Sequence, residues 1–152
     1  MSNTAHKLRQ SPANSKLIEP MPAENVAGGG RDRAWAIPQF FTELREHRTA
    51  FADSGPGPER TIVFVHGLAG NVTHWINVAP NFEGRFRVVA VDLPGHGETD
   101  KPDGRLTIEG YVEHVRELLD RLGIERATIA GHSMGGMVAT AFALAHPDRC
   151  EL

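Results

Sequence analysis

The sequence predicts an α/β fold built on a mostly parallel sheet with flanking helices, and three observations carry that expectation. Thr61-Ile62-Val63-Phe64-Val65, Phe86-Arg87-Val88-Val89-Ala90-Val91 and Ala127-Thr128-Ile129-Ala130 are short apolar runs, each ending in a glycine-rich loop, the pattern of parallel strands buried on both faces. Between the second and third runs, Ile108, Tyr111, Val112, Val115, Leu118, Leu119 and Leu122 recur at three- and four-residue spacing, which predicts an amphipathic helix from Thr107 to Leu122. After the third run, Gly131-His132-Ser133-Met134-Gly135-Gly136 opens an almost wholly apolar stretch from Met134 to Ala145, so a serine stands on a strand-to-helix turn.

Residues 1 to 33 are rich in Ser, Asn, Pro, Ala and Gly, show no sustained periodicity and end near Gly28-Gly29-Gly30, which predicts a flexible tail ahead of a domain spanning 34–152. Phe41 to Glu46 and Arg48 to Asp53 read as a strand pair, followed by the breaker Ser54-Gly55-Pro56-Gly57-Pro58. His74 to Pro80 reads as a short helix with Pro80 near its end. Thr107 is the expected N-cap of the long helix, with Glu109 in its first turn and Gly123 placed for a left-handed C-terminal residue. The alternation of strand, helix, strand and helix through the serine turn implies right-handed crossovers.

Composition narrows the function classes. Sixteen basic and 19 acidic residues give a net charge of −3 with no long run of either sign, so neither a nucleic-acid nor a membrane surface is expected. Met137 to Ala145, about nine residues, falls well short of the roughly 20 that span a bilayer, and the first ten residues lack the apolar core of a secretory signal, so a cytoplasmic location is the default expectation. Cys150 is the only cysteine, which rules out an internal disulfide and a cysteine-based metal site.

The chemistry lies in the loops after the strands. His66-Gly67-Leu68-Ala69-Gly70 follows the first, Asp92-Leu93-Pro94-Gly95-His96-Gly97 the second, and the Gly-x-Ser-x-Gly turn the third. In these three ordered motifs the chain, over about residues 42 to 152, resembles the amino-terminal part of the α/β-hydrolase family of serine hydrolases. The resemblance implies Ser133 as nucleophile, with the backbone N–H groups of Leu68 and Met134 as the oxyanion hole. It also implies a small-molecule ester or related acyl substrate and no cofactor or metal. His66, Gly67, Trp75 and His132 are the candidate substrate-binding residues. Two of them carry a second reading: His66 resembles the family's loop-bracing histidine, and Trp75 serves either an apolar pocket with Leu68 and Met134 or the core.

A serine needs a histidine base held by a carboxylate, and the family places both after the nucleophile. Downstream of Ser133 the chain offers His146, Asp148 and Glu151. His146 follows a twelve-residue helix that puts it roughly 18 Å from the serine, which makes it a helix cap. His96 is expected to be structural, Asp92 to turn the chain out of its strand, and His132 to project away from its neighbour's hydroxyl. The triad acid and base are therefore expected to be missing, the domain to be truncated after the nucleophile helix, and turnover to be low; a catalytically inert remnant or ligand-binding module of the same fold is the alternative. Thioesterases, lactonases, carbon-carbon bond hydrolases, haloperoxidases and acyltransferases share the serine turn, so the substrate stays open. The all-round apolar helix from Met134 implies an uncovered sheet edge, and with it self-association.

Overall fold

A computed structural model of the 152-residue chain describes residues 18–22, 37–45 and 47–151. Six strands, β1 (Glu19–Pro20), β2 (Gln39–Leu44), β3 (His47–Asp53), β4 (Thr61–Val65), β5 (Arg87–Val91) and β6 (Thr128–Gly131), form one sheet in the order β1-β2-β3-β5-β4-β6. Among the described residues two α-helices, α1 (Ile108–Arg121) and α2 (Met134–Ala145), accompany it. The β1, β2, β3 and β5 neighbours pair antiparallel, whereas β5, β4 and β6 run parallel. Parallel pairing follows from the intervening segments, which return each strand to the same end of the sheet.

Period-2 alternation divides the core in two. Val63, Val65, Val89 and Val91 face α1 and α2 together with Phe51, Leu118, Val138 and Phe142. Ile62, Phe64, Val88 and Ala90 point the other way, onto Val72, Ala79, Trp75 and Phe82. Each fully buried side chain of this size contributes roughly 1.5–3 kcal/mol. Across the sheet's lower end Arg87 grips Asp53 through two bonds, Nη2 to Oδ2 at 2.6 Å and Nε to Oδ1 at 3.1 Å, with the Asp53 side chain fully buried.

The long helix forms as its sequence dictates. Thr107 accepts the Gly110 N–H at 3.0 Å, and Gly123 takes φ 64° to end α1. The segment from His74 to Pro80 departs from expectation: it is two 3-10 turns, Val72–Trp75 and Ala79–Phe82. Asn71 caps the first, and Pro80 follows Ala79 at the start of the second, where its missing N–H costs nothing. Residues 18–22 also differ from the tail reading. Met21 is buried and its N–H donates to Gln39 at 3.0 Å, so β1 joins the sheet on the outer side of β2. Residues 1–17 and 23–33 of the expected tail lie outside the described residues.

At the other edge β6 is the last strand. Ala127, just before it, donates to the Arg149 carbonyl and accepts from the Glu151 N–H, both at 3.0 Å, so the chain after α2 comes back beside β6. On α2, Met137 and Leu144 are 56% and 80% exposed. No helix among the described residues is long and apolar enough to cross a membrane.

Candidate active site

The three motif loops meet at the carboxyl ends of β4, β5 and β6, where parallel sheets gather their ligand-binding residues. Ser133 sits between β6 and α2 with φ 55° and ψ −121°, a backbone state that costs a non-glycine residue on the order of 1–3 kcal/mol. The surroundings impose it. The His132 N–H donates to Val65 at 3.2 Å, fixing the turn to β4, while the Gly135 N–H bonds the His132 carbonyl at 2.9 Å and the Gly136 N–H bonds Ser133 at 2.8 Å, starting the helix. Two positions tolerate no side chain: a Cβ at Gly131 would strike the Gly135 carbonyl, and one at Gly135 would strike Val65. Glycine on both sides of the serine is thus required by close approach, and Ser133 is left exposed.

The loop after β4 lies directly on this turn. A Cβ built on Gly67 would stand 3.2 Å from the Ser133 Cβ and 3.1 Å from the His132 carbonyl. Among the described residues, the N–H groups of Leu68 and Met134 donate to no protein acceptor, whereas Gly70, Gly135 and Gly136 are all engaged. The Leu68 side chain is 74% exposed, so only its backbone is held at the site. Met134 is half-buried against the core beneath the helices.

His66 corrects one expectation. It is fully buried and both ring nitrogens are taken: Nδ1–H donates to Gly67 at 2.7 Å, and Nε2 accepts the Leu93 N–H at 3.0 Å. Burial pushes its pKa down to about 4, so the ring is neutral and ties the loop after β4 to the loop after β5; it has no nitrogen left for substrate. Trp75 also goes to the core. Its ring lies 4.9 Å from that of Phe64, in the cluster on the sheet face opposite the one Met134 packs on, and its buried indole N–H has no partner among the described residues.

Asp92 does more than turn the chain. Its Oδ1 accepts the Val72 N–H at 2.7 Å and its Oδ2 the Glu98 N–H at 2.9 Å, so one buried carboxylate braces both flanking loops; burial raises its pKa to about 6. His96 bonds Pro94 at 3.1 Å and rests against His66 and Tyr111. His146 is bonded to Glu113 of α1 at 2.9 Å, away from the turn. His132 is exposed, and its neighbour is a residue no motif marks, His74, whose ring centre lies 5.6 Å away. That pairing had no sequence signal: 58 positions separate the two, and only the 3-10 turn at 72–75 brings them together. Among the described residues no histidine is hydrogen-bonded to the Ser133 hydroxyl, and no three His, Cys, Asp or Glu side chains converge as a metal site.

The loops therefore present an exposed hydroxyl on a rigid turn, two free amides beside it, and a buried His-Asp framework behind. Comparison with known proteins identifies the family. Residues 60–151 match the alpha/beta hydrolase fold family. An uncharacterised protein of Mycobacterium tuberculosis is 44% identical over 118 residues, covering 78% of this chain and 34% of its own length. A 2-hydroxy-6-oxononadienedioate/2-hydroxy-6-oxononatrienedioate hydrolase of Paraburkholderia phymatum is 40% identical over 115 residues, 71% of this chain and 38% of its own. The crystal structure of an enol-lactonase from Burkholderia xenovorans superposes with a TM-score of 0.70 at 32% identity, over 73% of this chain and 44% of that one. The chain spans little more than a third of the curated relatives it matches, and within that span it belongs to the alpha/beta hydrolase fold family, with hydrolases among its relatives.

Proposed function

We propose that Ser133 is the nucleophile of a serine hydrolase acting on a carboxylic ester or related acyl bond of a small molecule. The single observation that carries this reading is the strained, exposed Ser133 held next to two unengaged amides. The hydroxyl would attack the acyl carbon, the carbonyl oxygen would take the negative charge, and the Leu68 and Met134 N–H groups would receive it, aided by the amino end of the twelve-residue α2. Collapse of the tetrahedral adduct would release the alcohol and leave an acyl-enzyme for water to cleave. Relatives named as an oxononadienedioate hydrolase and an enol-lactonase support a hydrolytic reaction on a carbonyl-bearing small molecule.

Among the described residues no histidine is hydrogen-bonded to the Ser133 hydroxyl to act as its base. His66, His96 and His146 are committed to other partners, and Asp92 to two amides. Without base and acid, oxyanion stabilisation and binding alone leave roughly 10³- to 10⁴-fold catalysis over water. That observation favours a second reading, a module that binds the ligand without turning it over. A fluorophosphonate probe separates the two. A single adduct on the full chain, lost in Ser133→Ala, supports the nucleophile, whereas an inert Ser133 supports the binding module. Cytoplasmic placement and self-association through the β6 edge belong to the same proposal, with no nucleic-acid or membrane partner.

A further inference from the structure

We propose that His74 and His132 form a two-histidine site for a borderline divalent transition ion, zinc or copper, beside the turn that carries Ser133. Of the histidines placed around this end of the sheet, these two are the ones left free. His66 and His96 are bonded to the backbone, while the His74 and His132 rings are exposed and have no hydrogen-bond partner among the described residues. Their ring nitrogens are committed to no hydrogen bond.

Both backbones are fixed. His132 is pinned by its own N–H to Val65 at 3.2 Å and by the Gly135 N–H at 2.9 Å; His74 is held by its N–H to Asn71 at 3.0 Å, in a turn that Asp92 anchors through Val72. Both Nδ1 atoms border the same short stretch of chain. A Cβ at Gly70 would collide with Nδ1 of His74, and one at Gly67 would lie 3.4 Å from Nδ1 of His132 and 3.2 Å from the Ser133 Cβ. The Gly70 N–H closes that stretch onto Gly67 at 3.0 Å.

The separation suits a shared ion. Two imidazoles on one tetrahedral zinc, at Zn–N of about 2.0–2.1 Å and with about 1.1 Å more from nitrogen to ring centre, have centres about 5–6 Å apart. The observed centres are 5.6 Å apart, with planes inclined at 44°. Imidazole nitrogens select zinc, copper and nickel over the oxygen-seeking magnesium and calcium. No third His, Cys, Asp or Glu joins the pair among the described residues, so water completes the coordination and the site exchanges its ion readily.

Calorimetric titration of the full chain with zinc chloride, copper chloride and magnesium chloride tests this. Zinc is expected to bind at one equivalent, copper at least tenfold tighter in line with the divalent affinity order, and magnesium not at all. His74→Ala and His132→Ala should each weaken zinc binding at least tenfold, while His47→Ala on β3 leaves it unchanged; because both substituted side chains are exposed, unchanged circular dichroism is expected. The histidine ring resonances of residues 74 and 132 alone should shift with zinc. Absence of a one-equivalent zinc site, or variants at 74 and 132 that bind as the parent does, would overturn the proposal.

Discussion

Ser133 is held in a backbone conformation that its side chain disfavours, and that strain is open to measurement. Ser133→Gly should raise stability by about 1 kcal/mol, because glycine adopts φ 55° without the Cβ penalty, whereas Ser133→Ala keeps the penalty and should leave stability nearly unchanged. Urea midpoints of the three proteins check this. Two buried histidines set the pH response. His66 and His114 have folded-state pKa values lowered to about 4, chiefly by burial, from 6.5. Between those values the unfolded chain binds the extra protons, so stability is full above pH 6.5 and is lost as the pH falls toward 4. Asp92, raised from 3.8 to about 6 by burial, works in the opposite sense, since the folded state takes its proton first as pH falls below 6. The two histidines outweigh the one carboxylate, and a loss on the order of 2 kcal/mol is expected between pH 7 and pH 5. His114→Gln should reduce that loss by more than half in denaturant titrations at the two pH values.

The elements depend on a few contacts that cannot be varied. Gly135→Ala would push a methyl into the Val65 carbonyl, so β4 and α2 must part; a destabilisation of about 3 kcal/mol or more is expected, together with loss of Ser133 labelling, read by thermal melts and intact mass. Asp53→Ala leaves Arg87 buried without its carboxylate and should cost about 3–5 kcal/mol, seen as a lowered urea midpoint. How much of this was legible in the sequence depended on range. Strands β4, β5 and β6 were readable because unbroken apolar runs mark strands buried on both faces, and α1 because Thr107 and Gly123 punctuate a 3.6-residue repeat. The two 3-10 turns were not, since Asn71 and Pro80 can begin a short turn as well as edge a helix. β1 was missed because two residues carry no periodicity; its order comes from Met21 packing beside Phe41 and Ala50. At the site, the Gly-x-Ser-x-Gly pattern marked the strand-to-helix turn on which Ser133 stands, but nothing local marked that Trp75 meets Phe64, that His66 spends both nitrogens on backbone, or that His74 meets His132.

On the scale of the whole molecule, the two edges of the sheet differ. Among the described residues β1 and β2 carry the antiparallel side, while β6 ends the order with residues 149–151 alongside Ala127, and α2 exposes Met137 and Leu144 without a charged residue in its twelve. Sedimentation velocity is expected to detect concentration-dependent self-association, and Leu144→Lys to shift the chain toward monomer by at least fivefold in dissociation constant. The His66 bridge and the Asp92 brace hold the loop after β4 that carries the Leu68 amide, while the Met134 amide belongs to the β6–α2 turn itself. The most direct test of the account is therefore a crystal structure of the chain after reaction with a fluorophosphonate. It predicts phosphorus on the Ser133 Oγ with its non-bridging oxygen about 2.7–3.1 Å from both the Leu68 and Met134 nitrogens. An adduct on another residue, or an oxygen turned away from those two amides, would contradict it.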